Sequence, residues 1–165
     1  MATFKDNSES RQRIDFRIIS NGWFQLYLNQ GVLSKDIRWL EEKGYEVVCF
    51  DCSEPSSLMA QIKNRLSLPP YFHDNLDSLN DCLRDIRIKG IGLVVVFNHL
   101  DCLKIPDIHD ILDVFVKTAI QNFIVGKRMM VLGQVDDKHF EAETIGAIEI
   151  QWNGKEWLRS ARENT

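Results

Sequence analysis

The residues best placed for chemistry in this chain are carboxylates. Between residues 74 and 85, Asp74, Asp77, Asp81 and Asp85 recur three and four apart. At about 100° per residue this spacing gathers them on one side of a helix. Leu76, Leu79, Leu83 and Ile86 gather on nearly the opposite side. A solvated helix face normally mixes signs, so that partners four apart attract. Here Asp77, Asp81 and Asp85 repel, at a few tenths of a kcal/mol per pair, and Asp85 sits at the unfavourable end of the macrodipole. Only Arg84 and Arg87 offset the stripe locally. Carboxylates that act as a general acid and base must face each other across a cleft, whereas these lie along one convex face. The pattern suits docking against a basic surface.

Other candidate chemistry is weaker. Cys49-x-x-Cys52 with His99-x-x-Cys102 supplies four zinc-type donors. Cys49, however, lies in a run that reads as a strand, where residues three apart point to opposite faces, and burial is the default for cysteine. A thiol oxidoreductase places such a pair at a helix N-terminus, and this pair ends a strand. His73, His99, His109 and His139 are scattered, and no phosphate-loop, dinucleotide or H-E-x-x-H pattern occurs. The expectation is no catalytic residue, no metal and no cofactor. The alternative from another class is a cytoplasmic zinc- or thiol-dependent enzyme built on Cys49, Cys52, His99 and Cys102.

The acidic stretch must be positioned by what precedes it. Pro69 and Pro70 disfavour helix at Leu68 and Pro69, which ends an earlier helix, and Asp74 or Asn75 caps the next. The segment from Leu68 to Ile86 resembles the barstar family of ribonuclease inhibitors. The resemblance rests on Pro69, on the aromatic pair Tyr71-Phe72, on Asn75-Leu76-Asp77 and on Asp81-Cys82-Leu83. In that family this loop and helix plug the nuclease active site. The resemblance therefore implies Tyr71, Asn75, Asp77 and Asp81 as contacts, with His73, Asp74, Leu76, Asn80 and Arg84 completing the binding surface. The implied partner is a basic ribonuclease or nuclease toxin. His73 replaces a glycine of the family's turn, Asn80 replaces a tryptophan, and an ungapped match puts Lys117 where the family has an acidic residue. The rival within the family is an interaction module that keeps the fold without inhibiting a nuclease.

Composition agrees with an ordinary soluble globular protein. A chain of 165 residues with 44% apolar content can bury one sizeable core. A net charge of −4 argues against direct nucleic-acid binding, which normally shows as a basic stripe. Residues 1–13 carry no apolar leader and no run approaches a membrane span, so the expected location is the cytoplasm. Residues 1–12 read as a disordered tail and 13–165 as one domain.

The elements expected in order are a half-buried strand over Arg13–Ile19, with a helix over 8–19 as the alternative, and then the turn Asn21-Gly22. A strand over Trp23–Leu28 follows, with a hairpin possible. Next comes a helix capped by Ser34 and closed by Gly44, a buried strand Tyr45–Asp51, and a helix capped by Ser56 or Ser57. After the acidic helix, Leu93–Phe97 is the central strand. A long helix from Pro106 to Gly126 leads to a parallel strand Arg128–Leu132. These make an α/β fold, a parallel sheet flanked by helices, with the family core at about 45–133. Extra strands extend it at both termini, Ala147–Trp152 being the last, before a helix from Lys155 to Arg162 that packs Trp157 and Leu158.

Overall fold

The computed structural model describes residues 12–142, 144, 145 and 149–163. The expected tail therefore lies, but for Gln12, outside the described residues. The chain runs α1 (Ile14–Ser20), β1 (Phe24–Tyr27), α2 (Gln30–Glu42), β2 (Glu46–Asp51), α3 (Leu58–Arg65), α4 (Leu76–Arg84), β3 (Gly92–Asn98), α5 (Ile105–Ile124), β4 (Arg128–Gln134) and α6 (Arg159–Glu163). All strand pairings are parallel, in the order β1-β4-β3-β2.

The uninterrupted run Leu93–Phe97 takes the interior of this sheet because it can bury both faces. Leu93, Val95 and Phe97 pack with residues of α3, α4 and α5. Val94 and Val96 pack on the other face with Ile18 and Ile19 of α1 and Leu33 and Leu40 of α2. The result is a helix–sheet–helix sandwich. Phe50, Phe97 and Phe115 stack at centroid distances of 5.2 to 6.3 Å, which ties β2, β3 and α5 together. At the start of β3 a Cβ on Gly92 would come within 2.6 Å of the Arg128 carbonyl oxygen and 2.5 Å of the Tyr45 ring. Only glycine admits that approach.

Several expectations are corrected. Arg13–Ile19 is not a strand: Ile14–Ser20 is helical, as the alternative reading had it. The alternation in Arg-Ile-Asp-Phe-Arg-Ile-Ile also places Ile14 and Ile18 four apart, and packing on the sheet favours the helix. Asn21-Gly22 ends that helix and makes no hairpin. Gly22 takes φ 107, and the Gly22 and Trp23 N–H groups donate to the carbonyls of Ile19 and Ile18. Asp15, fully buried, binds α1 to the sheet by accepting from the Tyr45 hydroxyl at 2.5 Å and pairing with Arg13 at 2.9 Å and Arg128 at 3.5 Å.

Ser34 is not the cap of α2. Asn29 is, and its side-chain oxygen accepts from the Gly31 and Val32 N–H groups. The strand–helix–strand unit from β1 to β2 joins the two edges of the sheet and not neighbours. Ser57 precedes α3 without a side-chain cap; its hydroxyl donates to the Glu54 carbonyl instead.

The N-terminal extension supplies β1 as an edge strand. Among the described residues, the C-terminal extension forms less than the expected strand. Residues 147 and 148 lie outside the described residues, and 149–152 meet β1 only through a bridge between Leu26 and Trp152. That contact still covers the β1 edge, because Leu26 N–H donates to Gln151 O and Asn153 N–H donates to Leu26 O. Buried Glu156 then accepts from the Leu28 and Asn29 N–H groups at 3.0 Å each. The terminal helix is shorter than expected and leaves Trp157 and Leu158 exposed.

Candidate protein-docking surface

The two prolines follow a left-handed step at Ser67, φ 50, which turns the chain out of α3. Phe72 then inserts into the core while Tyr71, its neighbour, remains 57% exposed. His73 is not among the described non-glycine residues with positive φ. Its N–H donates to the Ser78 hydroxyl and its carbonyl accepts from the Asn75 N–H. The turn is thus built without the conformation that would favour a glycine.

Of the two possible caps, Asn75 is the one used. Its backbone is extended and its side-chain oxygen accepts from the Ser78 N–H at 2.8 Å. Leu79, Cys82 and Leu83 bury the inner face of α4. Leu76, expected among them, is only half-buried, one step round toward the rim. Asp74, Asp77, Asp81 and Asp85 are exposed. Arg84 approaches Asp81 at 3.6 Å with both side chains more than 60% exposed, an arrangement that stabilises little.

The residues singled out from sequence divide between the two flanks of α4. On one flank Tyr71 borders a hollow of about 460 Å³ with Pro69, Cys82, Asp85 and Arg87. The strand starts Glu46 and Leu93 line the same hollow, so this flank opens at the amino edge of the sheet. On the other flank Asp77 and Asn80 border a cleft of about 310 Å³ against α5, with Asp110, Asp113 and Lys117 across it. Lys117 donates to Asp113 one turn back at 2.7 Å. Its charge is therefore answered within α5. Asp110 and Asp113 carry the acidic surface across the cleft onto a second helix. Sequence reasoning passed over them because α5 was judged by its apolar face. Asp107, Asp110 and Asp113 repeat three apart with one sign, the same signal that drew attention to α4.

The zinc donor set considered from sequence does not assemble. Cys49 packs against the cluster beneath α2 and Cys52 against the opposite one, as strand alternation requires. Burial pushes the Cys49 thiol up, and burial followed by the Asp51 charge pushes Cys52 up to about 12. Neither is poised as a thiolate. All the cysteines are unpaired.

No curated protein sequence matches the chain. Among solved structures, Cdc6p from Pyrobaculum aerophilum superposes with a TM-score of 0.54 at 15% identity, covering 89% of this chain and 45% of that one. Drosophila ORC bound to AT-rich DNA and Cdc6 gives 0.48 at 15% identity, covering 78% and 46%. The chain spans less than half the length of either, and at such identity the first likeness is one of fold alone. The Barstar (barnase inhibitor) family profile, by contrast, matches residues 42–128, from the end of α2 to the start of β4, including the proline turn and the acidic helix. That is more than half of the 165 residues, and with a parallel α/β sheet of the expected kind it makes this chain a member of the barstar family.

Proposed function

We propose that the chain is an inhibitor that binds and blocks a ribonuclease or nuclease toxin through the loop at Tyr71 and the acidic face of α4. The observation that carries this reading is the row Asp77, Asp81 and Asp85, exposed, one-signed and opposite the buried Leu79 and Leu83. An acidic row set into a cleft built for phosphates accepts the charge-assisted hydrogen bonds that RNA would otherwise receive from arginine, lysine and histidine. Blocking follows from occupancy, so no catalytic group is needed on this side. Asp110 and Asp113 extend the field that steers a cationic partner. Asn75 has a dual part, because its oxygen holds the helix start that presents Asp77.

Capture of partners from native lysate, followed by assay of any captured nuclease with and without the inhibitor, tests the proposal. Recovery of a basic nuclease whose activity falls with stoichiometric addition of the chain supports it. Captured nuclease that stays fully active contradicts it.

A second reading is an interaction module of the same fold without inhibition. Asn80 and Lys117 favour it, since a polar amide and an internally paired cation stand where the family carries a tryptophan and an acid. Titrating the captured partner's activity separates the two readings.

A further inference from the structure

Asn75 and Ser78 stand where a capping box would place its two partners, yet only half of the usual exchange is made. In that motif the side chain at the cap accepts from the N–H three residues on, and the side chain there returns to the N–H of the cap. Asn75 keeps its part, since its Oδ1 accepts from the Ser78 N–H at 2.8 Å. Ser78 does not return the bond, because the Asn75 N–H donates to the His73 carbonyl at 2.7 Å. The Ser78 hydroxyl reaches two residues further back and accepts from the His73 N–H at 2.8 Å. An oxygen that would otherwise serve the helix start therefore serves the loop before it. Phe72 holds the middle of that loop: its N–H donates to the Pro69 carbonyl at 3.0 Å and its side chain is buried. Tyr71 lies exposed on one side of this anchor, and His73 on the other side is fastened to α4. Ser78 precedes by one turn Cys82, which borders the hollow beside Tyr71, so the bond acts on the Tyr71 flank of the helix.

We propose that Ser78 is a positioning residue of the docking surface: through His73 it holds the loop that carries Tyr71 at a fixed setting against the aspartates of α4, so that both meet the partner together. The inference rests on the reading above, in which Tyr71 and the acidic row bind one nuclease. Phe72 decides where the loop meets the core, and the Ser78 bond decides how the loop is set against the helix. A loop already in its bound setting need not be ordered when the partner arrives, and affinity is not reduced by a population of loops in other settings. The helix itself does not depend on this hydroxyl. The cap oxygen belongs to Asn75, and alanine is a better helix former than serine. Removing the hydroxyl therefore weakens binding without weakening the fold, which separates positioning from a structural role.

The test uses the full chain and the nuclease captured by the wild type. Ser78→Ala leaves the thermal midpoint level or slightly higher. The backbone order parameter of His73, from NMR relaxation without the partner, falls from about 0.85 to below about 0.6. Affinity for the captured nuclease falls about 2- to 10-fold, the range of one hydrogen bond. Ser78→Thr keeps a hydroxyl and restores both the order at His73 and the affinity. Unchanged order at His73 in the alanine variant, a loss of affinity that follows a lower midpoint, or no recovery in the threonine variant overturns the proposal. Two failures of binding are distinct. A wild type that captures no nuclease overturns the reading on which this one rests, and the positioning role with it. A wild type that binds, with an alanine variant that binds equally well, overturns the positioning role alone.

Discussion

Glu156→Ala measures whether the C-terminal extension belongs to the same cooperative unit as the family core. Glu156 is 3% exposed and accepts from the N–H groups of Leu28 and Asn29 at 3.0 Å and from the Asn153 amide at 2.8 Å. A hydrogen bond to a charged group contributes about 1.5–3 kcal/mol. Leu28 and Asn29 are only half-buried, so water reaches part of the vacated space and the low end applies to each. Loss of the two backbone contacts then destabilises the fold by about 3 kcal/mol. For a domain of this size each kcal/mol moves the midpoint by about 2–4 °C, so Tm falls by about 6–12 °C. Glu156→Gln keeps the volume and one acceptor but turns an amide donor toward a backbone donor, and it recovers no more than about half of that fall. Thermal unfolding followed by circular dichroism gives the shift, and hydrogen exchange at Leu28 and Asn29 localises it. A drop of less than about 2 °C in the alanine variant, on the same scale, would refute the idea that this carboxylate locks the extension to β1.

Three further outcomes follow from the geometry. Leu83→Ala removes a fully buried side chain from the inner face of α4 and lowers stability by about 2–5 kcal/mol in chemical denaturation; a change below about 1 kcal/mol would mean that α4 is not packed as described. Hydrogen bonding to Asp136 raises the His99 pKa, so its contribution is complete below the ordinary imidazole range, about 6.5, and is lost as the pH rises through the raised folded value. Asp136 is lowered, first by His99, so its contribution is complete above the ordinary carboxylate range, about 4, and is lost as the pH falls through the lowered value. The stability difference between wild type and His99→Gln is therefore greatest between about pH 4 and 6.5 and shrinks on either side, and a difference independent of pH contradicts the pairing. Lys117→Glu removes the pair with Asp113, costs a few tenths of a kcal/mol of stability, and speeds association with a cationic partner at low salt; stopped-flow rates that stay the same or fall would place α5 outside the interface.

The parts of the fold that could be read from sequence are those in which local pattern and tertiary demand agree. Leu93–Phe97 is apolar on both faces and α5 repeats at three and four for 20 residues, and neither has a competing reading. Arg13–Ile19 offers two periods at once, so only the packing of Ile18 and Ile19 on Val94 and Val96 decides. The sequence alternates over 147–152, yet of the described residues 149–152 beside the short β1 only Trp152 forms a bridge. The acidic face of α4 was legible because a helical wheel needs only spacing. The one-signed spacing of Asp107, Asp110 and Asp113 is equally legible, but that Asp110 and Asp113 continue the α4 surface is not, because it depends on α4 lying against α5. The contacts of Asp101 with the N–H groups of Asp136 and Asp137 join positions 35 and 36 apart, which no spacing rule connects.

The central claim is tested most directly by reversing the stripe. Asp77→Lys with Asp81→Lys leaves the apolar face of α4 intact; it exchanges one like-charge pair, 77 with 81, for another, gains an attractive pair between 81 and Asp85, and puts a lysine in the first turn of the helix, so opposing effects of a few tenths of a kcal/mol leave the unfolding midpoint about unchanged. Truncating either aspartate to alanine should already cost about 2 kcal/mol or more of binding, a scale established on barstar itself and not worked from this chain. The double reversal should slow association and speed dissociation together, again as in the type complex of the family. The measurement is affinity for the captured nuclease, wild type against double variant, at low and moderate salt, with the unfolding midpoint of each. The account predicts a loss of at least about a thousandfold in affinity, from two such truncation costs, with stability unchanged. Full affinity in the double variant, or a loss that merely follows unfolding, would contradict it.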